Sequence, residues 1–315
     1  MRVFVGVLLA WLLGGCATGG LTLPQVSPDL PARVELADTP FFPDDSTLCG
    51  PSALATSLSA AGLPVTPEAL VPQVYLPGRE GSLQIEMLAA ARRQGAVAAT
   101  IPGALEPLLR ELAAGHPVVV LQNLGLSWAP SWHYAVAVGY DLAAGHILLR
   151  SGATRRQEMS LRTFEHTWGR SERWAFVTLQ PGELPASVTE EEATRALVAF
   201  ERNAPPAHAV RAYRSGLARW PDSVTLAMGV GNALYAAGDK TGSEAVFGRV
   251  AAQHGLDAAY NNQARVLLEL GRPQDAVGAA ERGLALGGAQ RAALLDTLAA
   301  ARAAAGELGT SGKNP

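Results

Sequence analysis

The sequence predicts an α+β domain followed by an all-α array of helical repeats, and three observations predict it. Residues 41–180 pass from apolar residues at helical spacing to short β-branched runs between turn residues. Helices first and a mainly antiparallel sheet afterwards is the α+β order. From residue 187 the composition turns Ala-rich and helical almost to the end, and small and apolar residues recur there with a period of about 33 to 34 residues. A length of 315 residues suits two domains, and a hydrophobic fraction of 48% suffices for ordinary folded cores. A net charge of −3 without a long Lys/Arg run leaves no electrostatic footprint for nucleic acid.

Residues 1–15 read as a signal peptide. Arg2 supplies a positive start, and Val3 to Leu13 form an apolar stretch that is too short to span a bilayer core of roughly 30 Å as a helix. Residues 16–40, rich in Gly, Pro, Leu and Thr without periodicity, read as a tether. In the first domain, Pro51 suits the first position of a helix, where its missing N–H costs nothing. Leu54, Leu58 and Ala61 continue at helical spacing, and Gly62 with Pro64 ends the run. Cys49 therefore lies just before a helix N-terminus. Ser82 and Gly95 bracket a second helix, and residues 104–114 form a third. The runs PVVVLQ (117–122), YAVAVGY (134–140), HILLR (146–150) and residues 174–179 are strand candidates.

Residues 181–189 read as a linker, and Ser187-Val188-Thr189-Glu190 has the spacing of a capping box. In residues 190–307, Tyr260, Ala264, Leu267, Gly271, Ala276 and Ala280 fall on the offsets of a tetratricopeptide repeat. Gly231, Leu234, Gly238 and Phe247 repeat them, and Ala209, Tyr213 and Pro221 form a weaker earlier copy. Each helix pair leaves an apolar face that only a stacked neighbour covers, so about three units and a terminal cap helix make a stable solenoid. A plain helical bundle is the alternative. Residues 308–315 read as a disordered tail.

The end of the signal, Leu13-Gly14-Gly15-Cys16, resembles the lipobox of bacterial lipoproteins. The resemblance implies diacylglycerol on Cys16, cleavage before it, and an exported protein anchored to the membrane by that lipid. Ala17 rather than an aspartate implies the outer membrane, facing the periplasm, in a cell with two membranes. The second of two cysteines, Cys49, is then left unpaired in an oxidising compartment, where a retained thiol points to reactivity or intermolecular pairing. A thiolate at a helix N-terminus meets the positive end of the helix dipole and unpaired N–H groups, which lower its pKa and can hold an oxyanion.

A cysteine nucleophile also wants an imidazole within reach. Of six histidines, His116, His146, His166, His208 and His254 fall in turns, polar segments or the repeats. His133, in Ser131-Trp132-His133-Tyr134, opens an apolar strand.

"CGPSALATSLSAAG" and "SWHYAVAVGYD" together resemble the bacteriocin-processing family of papain-like cysteine peptidases, over roughly residues 40–180. The resemblance implies a papain-like fold with Cys49 as nucleophile and His133 as general base. The sequence departs from that pattern twice. The family's glutamine, five or six residues before the cysteine, completes the oxyanion hole; Pro43 and Asp44 stand here. An anionic Asp44, in the oxyanion region shared with Gly50, opposes the developing charge. The family's Asp or Asn that orients the histidine is replaced within Arg150-Ser151-Gly152. If His133 starts one arm of a hairpin turning near residues 141–145, residues 151–154 lie across from it, and Ser151 is there. Asp141 is roughly 26 Å along the same strand at about 3.3 Å per residue, and so is a turn residue.

No His/Cys/carboxylate group has metal-ligand spacing, and Gly229-Val230-Gly231 lies inside a repeat helix rather than after a strand, so no metal, nucleotide or other cofactor is expected. The sequence thus reads as a lipid-anchored exported cysteine peptidase acting on a peptide or protein substrate, with the repeats recruiting that substrate or a partner protein. The lost glutamine and carboxylate favour a degenerate peptidase fold serving as a binding module; the retained thiol and His133 favour catalysis. Growth with a lipid-attachment label is expected to mark the wild-type protein and leave Cys16→Ala unmarked. A soluble, unlabelled wild type would remove the anchor.

Overall fold

The computed structural model describes residues 27–44 and 47–311. The signal peptide, Cys16 and the end of the tail lie outside the described residues. Among those described, an antiparallel seven-stranded sheet organises the first domain. Its strands are β1 (Arg33–Glu35), β4 (Val97–Thr100), β5 (Val118–Asn123), β6 (Trp132–Asp141), β7 (His146–Ser151), β8 (Thr154–Ser160) and β9 (Ala175–Leu179). The order is β4-β9-β5-β6-β7-β8, and β1 pairs with the far end of β6, beyond β5. A small hairpin, β2 (Tyr75–Leu76) and β3 (Gly81–Ser82), stands apart from the sheet.

Both faces of the sheet are apolar, because side chains alternate across the strands. On β6, Tyr134, Val136 and Val138 face one core, and Ala135 and Ala137 face the other. A bulge between Ala137 and Gly139 resets the alternation, so Tyr140 joins Ala135 and Ala137. Three helices cover the first face: α1 (Cys49–Ala60), α2 (Pro67–Val74) and α3 (Gln84–Arg93). Helix α1 is buried from Gly50 through Leu58, between sheet and helices, so it is apolar and small on every side rather than amphipathic.

The second face is covered by α4 (Leu105–Ala113) and α5 (Leu161–Gly169), then by α6 (Glu190–Glu201), α7 (Pro206–Arg219) and α8 (Val224–Ala236). Helices α9 (Lys240–His254), α10 (Asp257–Glu269), α11 (Pro273–Ala285) and α12 (Arg291–Ser311) follow, each packed on its predecessor. The chain is therefore an α+β domain followed by a helical region.

Several sequence expectations change. Part of the tether, residues 33–35, is β1, with Leu30, Val34 and Leu36 packed on the core; three residues are too few to show a periodicity. Helix α5 buries Leu161, Phe164 and Trp168, spaced for one helical face but set among polar residues that mask the pattern. Strand β8 (TRRQEMS) is an exposed edge strand, and its charges suit an edge that must not recruit another strand. The capping box forms two residues later than expected, with Thr189 as cap and Glu192 reaching back.

Residues 181–189 are not a free linker between separate cores. Glu111 on α4 is fully buried and accepts hydrogen bonds from Ser187 Oγ, at 2.5 Å, and from the amides of Ser187 and Ala186, at 2.8 and 3.1 Å. His116 Nδ1 lies 2.8 Å from the same carboxylate. Phe200, Tyr213 and Leu226 of the helical region share one apolar cluster with Val97, Val120 and Leu179 of the sheet. An isolated 187–315 fragment would uncover that surface.

Burial pushes the Glu111 carboxyl up, but hydrogen bonds from His116, Ser187 and Ala186 outweigh it and hold the group below its ordinary 4.5. A depressed carboxyl contributes stability above the unfolded pKa and loses it as pH falls through the folded pKa. Glu111→Gln is expected to cost about 1–3 kcal/mol in urea unfolding at pH 7, with the gap to wild type closing as pH drops below 4.5. A gap independent of pH would show that the charge contributes nothing.

Candidate active site

Cys49 is the first residue of α1, and Leu48 before it offers no side-chain cap. The first amides of the helix are thus left to the thiol. The Gly50 amide and the Cys49 amide point hydrogen bonds at it, as does the backbone of Tyr134 on β6. Gly50 is required by close approach, since a Cβ there would collide with the Ser82 side chain of β3. Tyr134 ties the same hairpin down, its hydroxyl donating to the Ser82 carbonyl at 3.1 Å. Tyr75 of β2 reaches Thr47, oxygen to oxygen at 3.2 Å.

His133 lies one residue before Tyr134, half-buried at the start of β6. Its Nε2 is 2.9 Å from Ser151 Oγ at the end of β7. That contact holds the ring by one edge and leaves Nδ1 on the other. The β6–β7 hairpin brings Ser151 there. Asp141 lies at the far end of β6, paired with His146, and its Oδ1 accepts the Ala144 amide of the turn at 2.9 Å. Gly152, at φ 54°, turns the chain from β7 into β8.

Asp44 completes the group. Its amide donates to the Gly152 carbonyl at 3.0 Å, which clips the segment before α1 to the β7–β8 turn. Asp44, Cys49, Ser151 and Gly152 line one narrow pocket with Phe42 and Tyr134; its volume of about 10 Å³ is room for a single water. Arg150, which sequence reasoning passed over, builds that wall. Buried at 5% exposure, its guanidinium donates to the Ala37, Thr39 and Arg155 carbonyls, pinning the chain that leads to Asp44. An arginine closing the apolar run HILLR is the available signal.

The electrostatics correct one expectation. Burial pushes the Cys49 thiol up, the Asp44 carboxylate adds to that, and the amides of Tyr134, Gly50 and Cys49 do not offset it. Burial also pulls His133 down, against the upward pull of Asp44. Both shifts favour a neutral thiol beside a neutral imidazole over the low-pKa thiolate that a helix N-terminus by itself implies. No group of His, Cys, Asp and Glu among the described residues could hold a metal ion. No described helix is long and apolar enough to cross a membrane.

A cysteine at a helix mouth set against a histidine-bearing strand defines a peptidase-like domain. Residues 31–176 match the model of the Peptidase_C39 like family. Among solved structures, the chain is similar to a C39-like peptidase from Bacillus anthracis, with 19% identity, a TM-score of 0.41, and coverage of 47% of this chain and 98% of that one. It is also similar to a double glycine motif protease from an AMS/PCAT transporter, solved with the leader peptide, at 18% identity and a TM-score of 0.34, covering 45% and 91%. No curated protein matched the chain.

Alkylation of Cys49 by iodoacetamide should be slow at pH 6 to 7 and rise only above the roughly 8.5 of a free thiol. Asp44→Asn should move the profile to lower pH, because it removes the anionic neighbour. Fast alkylation at pH 6 in the wild type would contradict the raised thiol.

Proposed function

We propose that this protein is a lipid-anchored exported cysteine peptidase that hydrolyses a peptide bond through Cys49 and His133. The observation that carries the reading is a thiol at the mouth of α1 beside a strand whose histidine is oriented through Nε2 by Ser151. Nδ1 of His133 takes the thiol proton as sulfur attacks the scissile carbonyl carbon. The amides of Cys49 and Gly50 receive the oxyanion at the helix N-terminus. As the tetrahedral adduct collapses, the C–N bond breaks and the imidazolium returns its proton to the leaving amine. Water, deprotonated by His133, then attacks the thioester and releases the acid and the thiol. Starting from a neutral pair, the thiol is activated by general base catalysis during attack rather than beforehand.

Ser151 accepts the ring N–H, but stabilises the imidazolium less than a carboxylate would. The helical region, read as tetratricopeptide repeats, holds substrate or a partner protein for the first domain, and the lipid on Cys16 keeps both at the membrane. One observation favours the second reading, a non-catalytic peptide-binding module. Asp44 lines the pocket where the family's glutamine donates, and its charge opposes an oxyanion.

Peptide turnover by the reduced protein is expected to vanish in Cys49→Ala. It is expected to rise at least about tenfold in Asp44→Gln, since one oxyanion donor is typically worth about 10²–10³ in kcat. Asp45→Gln serves as the register control. No cleavage by the wild type or by either glutamine variant, across a peptide library, would leave the binding module standing.

A further inference from the structure

The large apolar side chains that the first domain leaves in water are gathered at one end of it. Among the described residues of that domain they are Ile85, Leu124, Leu126, Trp128 and Trp132, exposed from 47% to 82%. Four of them lie in residues 124–132, LGLSWAPSW, a stretch without charge that runs from β5 into β6 and ends at His133. Ile85 follows Ser82, whose carbonyl is held by Tyr134 from the same end of β6. Apolar side chains collected on a surface mark a contact with a partner or a membrane. We propose that the β5–β6 loop enters the surface of a lipid bilayer and so sets the Cys49 pocket against the membrane. The proposal rests on the reading of the chain as lipid-anchored, and gives the folded domain a membrane contact of its own.

The loop is held out on a fixed base. Leu126 and Ala129 exchange backbone hydrogen bonds at 3.0 and 3.1 Å, closing a turn that contains Trp128, the most exposed of the five. Below the turn, the Leu124 amide donates to the Ser131 carbonyl at 2.8 Å. The Asn123 side chain accepts the amides of Gly125 and Ser131 at 3.0 and 2.9 Å. Arg170, just past α5, donates to the Gly125 carbonyl at 2.6 Å. Gly125 is required by close approach, since a Cβ there would strike the Ala129 carbonyl. The apolar tip is thus a projection.

The backbone decides what such a projection suits. In lipid, polar groups of the main chain have to be bonded within the protein. The amides of Leu124, Gly125, Leu126, Ala129 and Ser131 are bonded inside the loop and its base already, and Pro130 has no N–H to satisfy. A protein partner could meet free amides with carbonyls of its own; a bilayer cannot, so their internal bonding favours lipid. Side chains without charge avoid the cost of dehydrating an ion, and Trp and Leu suit the layer where headgroups meet acyl chains. The tether has the reach. It joins the sheet at the other end of β6, where Arg33 pairs with Asp141, about 30 Å from Trp132 at about 3.3 Å per residue. Cys16 precedes Ser27, the first described residue, by eleven positions, a span of up to roughly 36 Å. Lipid and loop can therefore rest on one surface, with β6 lying along it.

The test uses the chain from residue 17, which keeps every described residue. A histidine tag at its N-terminus and a nickel-chelating lipid hold it on vesicles of phosphatidylethanolamine and phosphatidylglycerol. The tag stands in for the lipid on Cys16, so the outcome does not depend on lipidation. Tryptophan emission is compared between ordinary vesicles and vesicles whose acyl chains carry bromine, a quencher that acts at contact. Bromine should dim the wild type. Trp128→Phe, which keeps an apolar ring at an exposed position and leaves the core untouched, should lose most of that quenching. Trp132→Phe should lose part of it. Trp220→Phe, in the helical region beside Arg219, should lose none.

Equal emission on both kinds of vesicle, or the same quenching in Trp128→Phe as in the wild type, overturns the proposal. So does a shift of Trp128 emission without vesicles in place of quenching by bromine. A shift that follows protein concentration assigns the loop to a second copy of the chain, and one that follows added peptide assigns it to substrate. Lipidation is a separate readout. A Cys16 that takes no lipid label beside a quenched Trp128 keeps the loop contact and loses the anchor, and a labelled chain whose Trp128 stays unquenched does the reverse.

Discussion

A sheet that is apolar on both faces must be covered on both, and this constraint organises the molecule. Val119, Leu121, Tyr134, Val136 and Phe176 need a cover on one side; Val97, Val118, Val120, Ala135 and Val177 need one on the other. The first cover is α1, laid across the central strands so that its N-terminus ends at the edge of β6 where His133 begins. The site goes with that burial, because the helix that covers the sheet carries Cys49 as its first residue. The second cover is too large for α4 and α5 by themselves, and α6 to α8 complete it. The helical region is attached by a shared core and by the hydrogen bonds converging on Glu111.

Within the site, burial and charge act against the helix N-terminus. Amides aimed at Cys49 favour the thiolate, but a half-buried sulfur with an anionic neighbour stays protonated. Asp44 acts on both partners in the same sense, raising the thiol and raising the imidazole. A chemistry that begins with proton transfer during attack fits this balance better than one that begins with a preformed ion pair. The Asp44–Gly152 hydrogen bond and the three carbonyls held by Arg150 make the wall rigid. The placement of Asp44 is thus built into the fold rather than left to a loose loop.

The pocket at Cys49 has room for one water, about 10 Å³. The α8–α10 cavity is larger, about 170 Å³. Because α6 to α8 share the core of the sheet, that cavity is carried on the body that holds Cys49 rather than on a separate lobe.

Local patterns made much of this legible. Pro51 after Cys49-Gly50, followed by Leu54 and Leu58 at helical spacing, places the thiol at a helix mouth, because capping and periodicity act over a few residues. The alternating runs at 117–122, 134–140 and 146–150 mark the central strands, and hairpin register brings Ser151 rather than Asp141 to His133. The tertiary structure decided what depends on residues distant in the chain. It paired β1 with β6, recruited Arg150 to the carbonyls of Ala37 and Thr39, and joined α6 to α8 to the core of the sheet. The protonation state of Cys49 belongs with these. A helix end implies a low pKa by short-range dipoles, but burial and the Asp44 charge are set by what folds around the thiol, and no short stretch of sequence contains them.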